Sequence, residues 1–214
     1  MANPRILGIG VLAAIVAAGC HTLPAPTMQP GFDARPVQAS TFGTMRNVSV
    51  SGDVWLGSYP NASDLALAER RGIKTVVDLS VPGEPDSFDV ADACRRLGIR
   101  HVALDAGAFE SGEHDELDAR HVDDVLAELR VPENYPILLV CANGSRAATM
   151  FAIHRCMNEG RKLEDAIVEA RWAGMKPGSQ EELVRAQVAR LHEPAPTWPE
   201  SAAAWLVASA VIRR

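Results

Sequence analysis

The sequence predicts an α/β domain: a mostly parallel central sheet of four to five strands, with helices on both faces. Three observations predict it. Short apolar strands alternate with helical segments, and each crossing takes roughly a dozen residues or more, as parallel neighbours require. The apolar run Ile137-Leu138-Leu139-Val140 passes directly into a glycine loop that opens a helix. Polar, chemistry-bearing residues collect after three separate strands, at Ser80 to Glu84, at Asp105 and at Cys141, where sites in parallel sheets sit.

The elements follow in order. Residues 53–57 (DVWLG) read as a first strand and 58–61 (SYPN) as a turn. Ser63 is the expected cap of a helix that carries Leu65, Leu67 and Ala68 and ends at Gly72. Residues 74–79 (KTVVDL) form a short β-branched strand, and 82–85 (PGEP) a loop. A helix over 88–97 stops at Gly98, and residues 99–104 make the third strand. A polar stretch at 105–115 precedes a helix over 117–129. Tyr135-Pro136 leads into the strand that delivers Cys141, and helices follow over 146–159, 163–172 and 180–191.

The flanks differ in character. Residues 1–19 have a short positive start, an apolar run over 6–18 and small residues, which is a signal peptide by pattern. The run is shorter than the roughly twenty residues of a bilayer span. Small residues ending in Cys20 resemble a bacterial lipobox, which implies diacylation of Cys20 and an exported, membrane-anchored protein of the cell envelope. An ordinary secretory signal or an uncleaved anchor are the alternatives. Residues 20–41 carry Pro24, Pro26, Pro30 and Pro36 and read as a tether to a domain over 42–193. Residues 194–214 form a tail with a short apolar helix, expected to cover a strip of the domain or to lie on a membrane with Trp205 inserted.

Net charge is −6, with both signs mixed along the chain. The absence of a basic stripe or aromatic ladder argues against nucleic acid, and the absence of a metal-spaced cysteine pair argues against structural zinc. No metal or cofactor is expected. Apart from Cys20, three cysteines remain, Cys94, Cys141 and Cys156, and an odd number in an exported protein implies a free thiol. Cys156 is expected to be packed, and Cys94 reaches Cys141 only if its helix turns inward. Trp172, near Gly174, either walls the site or packs in the core, with packing expected.

The loop Cys141-Ala142-Asn143-Gly144-Ser145-Arg146 carries the chemistry. A helix start presents unpaired N–H groups and the positive end of the macrodipole, which favour an anion and a thiolate. Gly144 lets successive N–H groups converge. Arg146 can return a guanidinium to a tetrahedral oxyanion. A nucleophile beneath an oxyanion cradle is what displacement at phosphorus requires.

Beyond this loop, the runs V-W-L-G-S-Y-P, D-L-A-L-A-E-R-R-G-I-K-T-V-V-D-L and R-L-G-I-R-H-V-A-L-D resemble bacterial cysteine phosphatases of the dual-specificity, protein-tyrosine-phosphatase-like superfamily. The short loop C-A-N-G-S-R looks like that of the beta-lactamase hydrolase-like phosphatase group. Single-domain rhodaneses also have a loop of this length. The resemblance implies Cys141 as nucleophile, Arg146 and the backbone of Ala142, Asn143, Gly144 and Ser145 as holders of the phosphoryl oxygens, and an acid from a mobile loop. Asp105 stands where that acid is expected, with Glu110, Glu113 and Asp115 as rivals in the same loop. Glu84 lies in a loop near the site, where it either touches substrate or faces solvent, with solvent expected.

Three departures matter. The family spacing has five residues between cysteine and arginine, whereas this chain has four. Val140 replaces a histidine, and Ala147 replaces the hydroxyl residue that helps the thiolate leave. Three functions therefore stand together: a phosphatase acting on a phosphomonoester such as phosphotyrosine, a rhodanese-like sulfurtransferase, and a catalytically silent anion-binding lipoprotein. The expected partners are a phosphorylated substrate and, through Cys20, a membrane.

Overall fold

The computed structural model describes residues 35–81, 84, 88–104 and 116–193. Six strands form one sheet: β1 (Gln38–Ala39), β2 (Ser49–Ser51), β3 (Val54–Ser58), β4 (Thr75–Asp78), β5 (Arg100–Ala103) and β6 (Ile137–Cys141), in the order β1-β2-β3-β6-β4-β5. The four strands β3, β6, β4 and β5 run parallel, as expected. β1 and β2 add a short antiparallel edge that the sequence reading lacked. β1 falls on the segment expected to be tether, and Val37 beside it is buried against the domain.

Among the described residues six α-helices complete the fold: α1 (Ala62–Arg70), α2 (Val90–Leu97), α3 (Glu116–Glu128), α4 (Ser145–Glu159), α5 (Leu163–Trp172) and α6 (Ser179–His192). Every residue of β6 is buried, as befits a central strand covered on both faces. Its alternation separates two cores. Leu138 and Val140 join Leu65 and Ala68 of α1 and Val90 and Cys94 of α2. Ile137, Leu139 and Cys141 join residues from α3, α4, α5 and α6. The register sets Cys141 opposite Ser58, and Val140 opposite Asp78, so the carboxyl ends of three strands meet at the thiol.

Two local expectations are corrected. The cap of α1 is Asn61, not Ser63; Asn61 Oδ1 accepts the Ser63 and Asp64 N–H groups, and Asp64 returns a bond to the Asn61 N–H. This is a capping box with Asn and Asp in place of the usual pair. Trp172 is 77% exposed rather than packed in the core. It borders a cleft of about 330 Å³ shared with Pro36, Val37, Arg161 and Val168.

The edge segment closes onto β3 at Gly57. A Cβ there would stand 2.7 Å from Met45 Cε and 3.4 Å from Val48 Cγ2, so a side chain at this position would displace the tip of Met45. The approach carries residues 45–48 to the end of β3, one strand from Cys141. Among the described residues no helix is long and apolar enough to cross a membrane.

Candidate active site

Cys141 ends β6 and is fully buried. Its Sγ accepts the backbone N–H of Gly144 at 3.2 Å. Gly144 precedes α4 with φ of +92°, in the half of backbone space that side chains disfavour. A Cβ on it would meet Asn47 Cβ at 3.2 Å and the Gly57 carbonyl carbon at 3.3 Å. Both geometry and space thus reserve this position for glycine.

Asn143 organises the middle of the loop. Its Oδ1 accepts the N–H of Ser145 at 3.0 Å and the Ser145 hydroxyl at 2.8 Å, and lies 3.9 Å from Cys141 Sγ. An N–H can only donate, so the carboxamide oxygen, not its nitrogen, faces Ser145. One N–H expected in the cradle, that of Ser145, is therefore already engaged. The Asn143 carbonyl accepts from Asn47 Nδ2 at 2.7 Å. Gln180 Nε2 donates to Ser145 Oγ at 3.3 Å, and Gln180 Oε1 accepts the Lys176 N–H at 2.8 Å. Contacts from outside the loop thus hold it at both Asn143 and Ser145.

Arg146 is 2% exposed. Its Nη2 donates to Glu84, whose Oε2 also accepts the Val81 N–H at 2.9 Å. Burial alone would lower the guanidinium pKa. The Glu84 hydrogen bond and the Cys141 sulfur more than offset this and raise it, so the cation is secure. Nη1 is buried and has no hydrogen-bond partner among the described residues. A buried donor without a partner costs free energy that an incoming oxyanion would recover. Glu84, expected in solvent, instead completes the site.

The other described thiols are unsuited to attack. Burial, with Asp78 nearby, pushes the Cys94 thiol up to about 11. Burial pushes Cys156 up to about 11 despite Arg155 beside it. Cys94 packs in the core on the opposite face of the sheet from Cys141, and all three described cysteines are free.

The structure brings Cys141, Ala142, Asn143, Gly144, Ser145 and Arg146 into one loop and adds Glu84 to it. Asp105, Glu110, Glu113, Asp115 and Cys20 lie outside the described residues. Sequence reading missed Asn47 and Gln180. Neither carries a local signal, since Asn47 is a polar loop residue and Gln180 opens an ordinary helix turn. Val140 turns into the α1–α2 core, and Ala147 is fully buried in the other core.

No family model matches the sequence, and a search of curated proteins finds no match either. Solved structures do match. A crystal structure of P. aeruginosa TpbA is 23% identical, covering 77% of this chain and 92% of that one, with a TM-score of 0.56. A cysteine-to-serine TpbA variant in complex with pTyr is 20% identical over 78% of this chain and 100% of that one, with a TM-score of 0.57. The core catalytic domain of the PP-IP phosphatase SIW14 from S. cerevisiae, in complex with citrate, is 20% identical over 65% and 84%, with a TM-score of 0.54. At these identities the likeness concerns the fold: this chain has the fold of the cysteine phosphatases.

Proposed function

We propose that the chain is a cysteine-dependent phosphatase that hydrolyses a phosphomonoester through a thiophosphate intermediate on Cys141. The carrying observation is the buried thiol that accepts the Gly144 N–H, beside a buried Arg146 with one nitrogen unpaired among the described residues, in a fold of this kind. Attack by the Cys141 thiolate forms an S–P bond and breaks the ester P–O bond. The departing oxygen takes a proton from Asp105. Water then attacks phosphorus and breaks the S–P bond, giving inorganic phosphate, while the Asp105 carboxylate accepts the water's proton. Arg146 and the loop N–H groups hold the oxygens that gain charge at both steps.

Phosphotyrosine is the ester we assign as first substrate to test, because a TpbA structure of the same fold binds pTyr. Hydrolysis of a small aryl phosphate by the full chain, compared with Cys141→Ser, tests the reading. Loss of hydrolysis in the variant supports it, and equal rates refute it. Cys20 is proposed as the lipidated residue of an exported lipoprotein; incorporation of labelled palmitate that disappears in Cys20→Ala is the expected result.

The four-residue spacing between Cys141 and Arg146 favours one further reading, sulfur transfer by a Cys141 persulfide. Thiocyanate formed from thiosulfate and cyanide, with no aryl phosphate hydrolysis, would select it. An anion-binding protein without turnover would bind phosphate and form neither product.

A further inference from the structure

We propose that Asn47 is a positioning residue that acts on Cys141 through the peptide joining Asn143 to Gly144. The proposal rests on the reading of Cys141 as the nucleophile. The carbonyl of Asn143 and the N–H of Gly144 belong to one planar trans unit and point in opposite directions. The carbonyl end accepts from Asn47 Nδ2 at 2.7 Å, and the N–H end donates to Cys141 Sγ at 3.2 Å. Fixing one end therefore aims the other. Glycine at 144 would otherwise let this peptide rotate, because glycine accepts either sign of φ. A carbonyl that accepts a bond also polarises the N–H of its own peptide, which strengthens the bond to sulfur.

Asn47 is itself held in place. Its φ is +51°, and among the described residues it is the one non-glycine with positive φ. Asparagine is among the few side chains that tolerate this region. The preceding residue is clamped: Ser58 N–H donates to the Arg46 carbonyl at 2.9 Å, and Arg46 N–H donates to Ser58 Oγ at 2.8 Å. The next residue, Val48, is buried in the α1–α2 core. Asn47 Cβ fills space that a Cβ on Gly144 or Gly174 would contest, at 3.2 Å and 3.4 Å. Asn47 is exposed, so this backbone seat, and not burial, is what fixes its direction.

Two variants of the full chain test this. Asn47→Gly keeps the left-handed backbone but removes the amide. Asn47→Asp keeps the shape but removes the donor. The readout is the pH profile of iodoacetamide alkylation at Cys141, followed by peptide mass spectrometry and therefore independent of any phosphatase activity. Both variants are expected to move the profile to higher pH and to slow labelling near neutrality by roughly threefold to tenfold, the weight of one ordinary hydrogen bond. A steric wedge would alter only Asn47→Gly, and a charge effect only Asn47→Asp. A shift in one variant alone, or in neither, overturns the proposal. Should one variant fail to fold by circular dichroism, an unshifted profile in the other overturns the proposal, and Asn47→Ala, uncharged and with its Cβ kept, takes the failed variant's place. Should the wild type hydrolyse no aryl phosphate yet both profiles shift, the phosphatase reading falls and this one stands.

Discussion

Glu84 holds the guanidinium of Arg146 across 62 residues of sequence, on the loop that follows β4. The ion pair divides the arginine fork: Nη2 is engaged, and Nη1 is buried without a hydrogen-bond partner among the described residues. One carboxylate therefore orients the cation while leaving a donor for substrate.

Replacing Glu84 by Gln should keep the size and remove the charge. The value of kcat/KM for an aryl phosphate is expected to fall about tenfold, as loss of a charge-assisted hydrogen bond implies. An unchanged kcat/KM would mean that Arg146 is positioned by its own burial alone.

Gly144→Ala asks more of the loop. The +92° φ and the contacts of 3.2 Å and 3.3 Å must both be relieved. Urea denaturation should report a loss of about 1–2 kcal/mol for the backbone conformation. Hydrolysis should fall further than stability, because the N–H that faces Cys141 moves with the residue.

Ala147 stands where the phosphatase resemblance implies a hydroxyl that assists the second step. Stopped-flow assay is expected to show a burst of aryl alcohol, one equivalent per enzyme, before a slow steady phase. Ala147→Ser should raise the steady rate severalfold. A wild type without a burst would place the slow step at attack on the ester.

Much of this architecture was legible because the central strand announces itself. The run Ile137–Cys141 is apolar, ends in a reactive side chain and is buried throughout, so its place in the sheet followed from pattern. The helices after it begin within a residue of expectation, at Ser145, Leu163 and Ser179. β1 and β2 were not legible, since two and three residues of mostly polar sequence have no period and are held by pairing with a neighbour. Asn61, three residues before Asp64, and Ser63 are both good caps by residue type, and only the fold separates them. Glu84 reads in sequence as a loop residue, and only the folded chain brings it to Arg146. Asn47 lies 96 residues from its partner, a distance over which local pattern carries no information.

Stability should depend on an ionic group on α4, away from the thiol. Arg155, 1% exposed, donates to Glu169 at 3.0 and 3.1 Å and to Glu159. Arg155→Met leaves both carboxylates behind and should cost about 3 kcal/mol in urea unfolding. A loss under 1 kcal/mol would mean that Arg161 and His154, which already lie beside Glu169 and Glu159, hold the carboxylates without it.

The same group sets an acid limit. Burial raises the Glu159 carboxyl, but His154 and Arg155 more than offset it and hold it below its ordinary value of 4.5. A depressed carboxylate stabilises the fold fully above its unfolded pKa and loses that contribution as pH falls through its folded one. The melting midpoint should therefore hold above about pH 5 and drop below about pH 4. Glu159→Gln should flatten that drop.

The most direct measurement is acid quench of the full chain during turnover of an aryl phosphate, followed by peptide mass spectrometry. The account predicts one phosphoryl group on the peptide that carries Cys141, absent from Cys141→Ser. Turnover with no such adduct at any quench time, or an adduct on another residue, would contradict it.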